Sequence, residues 1–176
     1  QELSKIELGA SQESGIELKS SLCAVLDEIE QNAGGTITGI PTGYSTLDNL
    51  LSGLHRTNLI IVAARPRMGK TAFASNILIN AAAHGFPCAI FSLEMSRMQL
   101  IKRMLAQVSR VNFQRIRNGF LSDEDHAGLN IGAEKLSQLD IWIDDSPGLS
   151  SYDIKSRARK LVQKRKIQMI AIDYLQ

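Results

Sequence analysis

Gly69-Lys70-Thr71 follows the run Leu59-Ile60-Ile61-Val62-Ala63-Ala64-Arg65-Pro66-Arg67-Met68. Apolar, partly β-branched residues end at Ala63, a short loop holds Pro66 and Gly69, and Lys70-Thr71 opens a helical pattern. Strand, loop and helix start in that order make a phosphate cradle. A triphosphate needs several backbone N–H groups converging on it, and a loop wrapped around a helix N-terminus supplies them with the positive end of the helix dipole. Here Gly69 lets the backbone come close without a Cβ. Lys70 places a compact cation on the β- and γ-phosphates, and the Thr71 hydroxyl is an oxygen ligand suited to Mg²⁺. Arg65, Pro66, Arg67 and Met68 form the loop and Ala72 backs it, so the expected nucleotide contacts run from Arg65 to Ala72. Ala64 stands where such loops usually begin with glycine, and its methyl group is tolerated where φ stays negative.

Two carboxylates complete the chemistry. Asp173 ends the apolar run Met169-Ile170-Ala171-Ile172, which suits a carboxylate that holds Mg²⁺. A strand-ending Asp that merely caps a turn is the alternative. Glu94 follows the apolar run Cys88-Ala89-Ile90-Phe91-Ser92-Leu93. Tyr174 occupies the place beside Asp173 where many ATPases carry a glutamate, and a tyrosine is no general base at neutral pH. Glu94 is therefore the candidate to activate water, although a charge favouring the helix that opens at Ser96 would also explain it.

The elements that position these groups read as follows. Residues 1–15 are polar linker. Leu18, Leu22, Val25, Leu26 and Ile29 recur at helical spacing over 17–32, closed by Gly34-Gly35. That apolar stripe packs either on its own domain or on a neighbouring subunit. Ser45 or Thr46 caps a short helix to Leu51, and a helix runs from Lys70 to His84. Ser96 with Gln99 forms a capping box for a helix that buries Leu100, Ile101, Met104, Leu105 and Val108. One helical turn within 110–121, a helix over 123–136 capped by Ser122, a strand at Ile141–Ile143, a helix from Ser150 or Ser151 to Arg165 and a last strand over 168–172 follow. Strands alternating with helices favour a parallel sheet with helices on both faces, and ligands collect at its carboxyl edge.

Composition adds bounds. The 176 residues suffice for a full core, and 44% apolar with 22% charged is ordinary for a globular chain. A formal charge of +2 announces neither nucleic acid nor membrane. No stretch reaches the ~18 apolar residues of a membrane span. Cys23 and Cys88 read as buried free thiols in a reducing compartment. Lys155, Arg157, Arg159, Lys160, Lys164, Arg165 and Lys166 form a solvated helix face, and Arg97, Lys102, Arg103, Arg110, Arg115 and Arg117 are more dispersed.

Thr38-Gly39-Ile40-Pro41-Thr42-Gly43-Tyr44, the loop from Ala63 to Thr71, Ser92-Leu93-Glu94-Met95-Ser96, Ile143-Asp144-Asp145 and Ile172-Asp173-Tyr174-Leu175-Gln176 together resemble the motor domain of the DnaB-type replicative helicases, within the RecA-like ATPases. Ala64 is usual in that family, whereas Arg67 departs from a small residue. The resemblance implies a linker segment at 1–35 and the amino-terminal part of a RecA-like ATPase domain at 36–176, truncated before the fold is complete. It implies ATP and Mg²⁺ as cofactors, Lys70 and Thr71 on phosphate and metal, Glu94 activating water and Asp173 supporting the metal. The implied whole is a cytoplasmic, nucleoid-associated homohexamer that moves on single-stranded DNA, with its 17–32 helix against the adjacent subunit and with primase and a helicase loader as further partners. DNA-binding loops, a sensor glutamine, the arginine finger and a strand between the first and last strands fall outside these residues. The chain, which lacks a starting Met, is accordingly expected to be a piece of a longer one with little activity by itself. A RecA-like recombination or repair ATPase shares the same nucleotide residues, and a nucleotide-gated ring-assembly module is a further alternative, although Tyr174 beside Asp173 argues against most loaders of that kind.

Overall fold

A computed structural model describes residues 18–31 and 37–174. The expectations for residues 1–15, Gly34-Gly35 and Leu175-Gln176 lie outside them. The chain divides into two units, one up to Thr36 and one from Ile37 onward. In the first, α1 spans Leu18–Gln31, and Leu18, Leu22, Val25, Leu26 and Ile29 of its apolar stripe are all exposed. Cys23 on α1 is exposed as well, so only Cys88 is the buried thiol expected of both. An amphipathic helix of this kind has its stripe facing whatever packs on it, and nothing within its own turns can cover it.

The second unit is α/β. A parallel sheet of β1 (Cys88–Ser92), β2 (Ile141–Asp144) and β3 (Met169–Asp173) has the order β2-β1-β3. Flanked on both edges and covered on both faces, β1 is buried at every position, as its unbroken apolar run demands. Ile90 and Cys88 pack with Leu78, Ala81 and Leu100 in the main core. The helices are α2 (Ser45–Leu51), α3 (Lys70–Ala83), α4 (Arg97–Ser109), α5 (Phe113–Asn118), α6 (Asp123–Ser137) and α7 (Ser151–Arg165). Helix α3 touches all three strands, and α4 lies against both α3 and α6. Capping boxes of Ser96 with Gln99, Ser122 with Asp125 and Ser150 with Asp153 start α4, α6 and α7 at the expected residues.

Three local expectations are corrected. Residues 59–63 join no strand, and Leu59, Ile60, Ile61 and Val62 are all exposed. A strand exists through its partners, and among the described residues none pairs with this segment. Helix α2 is capped by neither Ser45 nor Thr46. Its Ncap is Tyr44 without a side-chain bond, and Asp48 instead reaches back to accept from Thr42 N (2.8 Å), Thr42 Oγ1 (2.7 Å) and Gly43 N (3.1 Å). Ile101 of α4, expected among the buried residues, is exposed.

Candidate nucleotide site

The Thr42 loop holds α3 by its far end. Asn80 Nδ2 donates to Thr42 O at 2.8 Å, and the Tyr44 and Phe73 rings meet at 5.2 Å. Gly43 is required twice over: its φ is +80°, and a Cβ there would lie 2.1 Å from Asn80 Nδ2. At the near end the phosphate loop turns through Met68 N to Arg65 O (3.2 Å), and Phe73 N to Gly69 O (2.9 Å) closes the first helical turn. Gly69 sits at φ +91°, a conformation that favours glycine, and no described residue beyond its chain neighbours lies within 4 Å of where its Cβ would be. Arg67 also takes a positive φ, 67°.

The register of the sheet then brings distant residues level. Ser92 pairs with Asp173 across β1 and β3, and Leu93 N donates to Asp173 O at 2.7 Å. Asp173 is buried and faces the start of α3. Its Oδ2 accepts from Thr71 Oγ1 at 2.6 Å, and its Oδ1 lies 3.3 Å from Lys70 Nζ. The Lys70 ammonium also lies 4.1 Å from the centroid of the Tyr174 ring. Two residues past β1, Glu94 is exposed on a turn pinned by Ser92, whose Oγ donates to Met95 O (2.7 Å) and accepts from Met95 N (3.2 Å). Behind that turn Asp145 accepts from Arg97 N at 2.7 Å and from its guanidinium at 3.0 and 3.3 Å. The Arg97 backbone N–H, then its side chain, hold the Asp145 carboxyl below the ordinary carboxylate range. Glu94 is thereby set between β1 and a clamped helix start.

These groups surround one cavity of about 700 Å³, a size ordinary for a small-molecule site. Arg65, Arg67, Lys70 and Arg103 supply its positive charge, and Glu94 is the one carboxylate among its lining residues. Pro66, Gly69, Thr71 and Ala72 line it too. Met68 does not: its side chain is exposed outside the cavity. Asp173 stands just behind the wall, reached through Lys70 and Thr71. The cation-rich lining suits a polyanion. A hydroxyl and a carboxylate meeting at 2.6 Å are hard oxygen donors of the kind Mg²⁺ takes beside phosphate oxygens and water. Among the described residues no cluster of three or more His, Cys, Asp or Glu suits a metal held by protein alone. Reading the sequence did not single out Arg103. The available signal was its place with Leu100, Met104 and Gln107, at i, i+3, i+4 and i+7, on the inward face of α4.

A loop leading into a helix, with a strand-ending aspartate behind it in a parallel sheet, is the arrangement of a P-loop nucleotide-binding fold. The family model for the DnaB-like helicase C-terminal domain matches residues 39–176, and the chain belongs to that family. It is 48% identical to the replicative DNA helicase DnaB of Geobacillus stearothermophilus over 162 residues, which is 90% of this chain and 36% of that protein. It is 47% identical to the replicative DNA helicase DnaC of Bacillus subtilis over the same shares. The chain thus spans about a third of the length of these relatives. Among solved structures, a DnaB-like replicative helicase described with its interactions with primase superposes with a TM-score of 0.79 at 34% identity, covering 91% of this chain and 39% of that one. A second solved structure, described as an ATPase domain, gives 0.82 at 36% identity, covering 92% and 58%.

Proposed function

We propose that residues 36–176 are the amino-terminal part of the ATPase domain of a ring-shaped hexameric helicase, which hydrolyses ATP to move along single-stranded DNA and part the duplex. The observation that carries this reading is the meeting of Lys70 and Thr71 at Asp173, with Glu94 across the same cavity. On this reading the backbone N–H groups of Gly69, Lys70 and Thr71 cradle the phosphates at the start of α3. Lys70 moves its ammonium from Asp173 and Tyr174 onto the β- and γ-phosphates. Thr71 and Asp173 hold Mg²⁺, which when bound neutralises phosphate charge. Glu94 orients water toward the γ-phosphorus and takes its proton. Arg65 and Arg67 add positive potential at the cavity mouth.

Residues 1–35 form a linker segment, and the exposed stripe of α1 is covered by the adjacent subunit. The solved relative described with its interactions with primase supports primase as a partner, and the same reading includes a helicase loader and action in the bacterial or phage cytoplasm at the nucleoid. Among the described residues no helix is long and apolar enough to cross a membrane. The test is an ATPase and strand-separation assay on the intact protein, with and without single-stranded DNA. DNA-stimulated hydrolysis with unwinding is expected. Nucleotide-dependent assembly or strand exchange without unwinding would overturn the helicase reading.

A further inference from the structure

The turn that carries Glu94 is gripped by a second carboxylate from another part of the chain. Parallel pairing of β1 with β2 sets Phe91 level with Asp144, so Asp145 leaves the sheet beside the segment that leads into α4. There its Oδ2 accepts from Arg97 N at 2.7 Å, and its Oδ1 accepts from Arg97 Nη2 at 3.0 Å and Nε at 3.3 Å. Arg97 is the first residue of α4, and its backbone N–H is one of the donors that a helix start leaves without a partner in its own turns. The Ncap Ser96 serves a different donor, Gln99 N. Asp145 is itself fixed by its neighbours. Asp144 accepts from Ser146 N at 3.0 Å and from Arg157 Nη1 at 2.8 Å, and Arg157 Nη1 also donates to Ser146 Oγ at 2.8 Å. The loop after β2 thus hangs on α7 and holds the start of α4.

Glu94 lies two residues before Ser96 and three before Arg97, which makes it the carboxylate nearest in sequence to that helix start. A helix N-terminus with a guanidinium beside it attracts such a group. Yet among the described residues Glu94 makes no hydrogen bond or ion pair, and it lines the phosphate cavity. Asp145 holds both the N–H and the cation in its place. We propose that Asp145 is a positioning residue for hydrolysis: by occupying the start of α4 and the Arg97 guanidinium, it keeps Glu94 unpaired and at the cavity, available to water. This rests on the nucleotide-site reading above. Without Asp145, the released guanidinium and the vacated N–H draw Glu94 into a local pair. A carboxylate so paired is a weaker base, because an adjacent cation favours its charged form. It also leaves the place where water would meet the γ-phosphorus.

The experiment measures kcat and KM for ATP, and ATPγS affinity, on the intact protein with single-stranded DNA. Asp145→Ala is expected to lower kcat by about tenfold or more, part of the ~10²–10⁴ that a general base supplies. KM and ATPγS affinity should shift by less than about twofold, a split that a damaged binding site would not give. Adding Arg97→Ala to Asp145→Ala should restore most of the lost kcat, since the competing cation is gone. In a Glu94→Gln background, read by single-turnover rates, Asp145→Ala should cost less than about twofold further, because its effect runs through Glu94. Retained ATPγS binding is the check on folding. Where Asp145→Ala unfolds, Asp145→Asn decides by the same signs, as it keeps an acceptor for the Arg97 N–H and loses the charge that holds the guanidinium. An unchanged kcat in the folded Asp145 variant overturns the proposal. So do equal losses in the parent and Glu94→Gln backgrounds, or a double variant no better than Asp145→Ala, since each would mean a structural brace alone. If Glu94→Gln by itself leaves turnover intact, the failure belongs to the nucleotide-site reading instead.

Discussion

Thr71 and Asp173 are 102 positions apart, yet the threonine hydroxyl donates to the aspartate carboxylate at 2.6 Å across the carboxyl edge of the sheet. The loop that begins α3 and the strand that ends the described chain therefore act on one point. Replacing either residue should damage the same property. Thr71→Ala and Asp173→Asn are each expected to flatten the Mg²⁺ dependence of ATPγS binding in the intact protein. The double variant should be little worse than the poorer single one, with a coupling of about 0.5–3 kcal/mol. Fully additive losses would count against a joint site.

Glu94 calls for a different outcome because it is exposed. It has no hydrogen bond or ion pair among the described residues, and its turn is held by Ser92, Met95 and the Arg97–Asp145 clamp. Glu94→Gln should leave thermal stability within about 0.5 kcal/mol of the parent. Hydrolysis should fall by about 10²–10⁴-fold, the usual worth of a general base, with ATP binding retained. Unchanged turnover in this variant would remove Glu94 from the chemistry.

How far the sequence foretold this site depends on how local each signal was. Ser96 with Gln99 and Ser150 with Asp153 carry their partners within one helical turn, so the starts of α4 and α7 could be read directly. Glu94 and Asp173 were legible as chain punctuation, since each closes an apolar run that forms a strand. Long-range pairing was not legible. The Leu59–Ala63 run has strand composition but no strand partner among the described residues, and it lies exposed. Nor was the Thr42–Asp48 network, since it uses a helix aspartate backwards, to hold a loop that in turn holds Asn80. Arg103 looked like one more surface cation until the cavity wall gave it a direction.

The two cysteines should separate cleanly in a thiol titration. Burial, and then the charge of Asp140, pushes the Cys88 thiol up to about 12, and its Sγ donates to Phe86 O at 3.0 Å. Near pH 8 only about one part in 10⁴ of such a thiol is thiolate, the reactive form. Cys23 is exposed on α1. In the 176-residue chain a disulfide reagent should therefore titrate one thiol quickly and the second only on unfolding. Two equally fast thiols would show that β1 is not buried as described.

Acid should loosen the loop that holds α3, through Asp48. Burial is the largest influence on this carboxyl and opposes its charge, but the hydrogen bonds from Thr42 and Gly43 outweigh it and hold its pKa below the ordinary carboxylate range. An unfolded aspartate titrates near about 3.9. A depressed folded pKa means that the stabilisation is complete above that value and is lost as pH falls through the lower folded one. The melting temperature should thus hold from neutrality down to about pH 4 and drop below it. Asp144 contributes in the same direction, since Ser146 and Arg157 outweigh the burial that opposes its ionisation. Asp48→Asn removes the charge but keeps one acceptor. It should cost about 1–3 kcal/mol at neutral pH and make the acid limb shallower without abolishing it, because Asp144 still titrates. Thermal melts of both chains from pH 7 to pH 3 decide the matter. Parallel acid limbs would mean that the Thr42–Asp48 bonds do not depend on the aspartate charge.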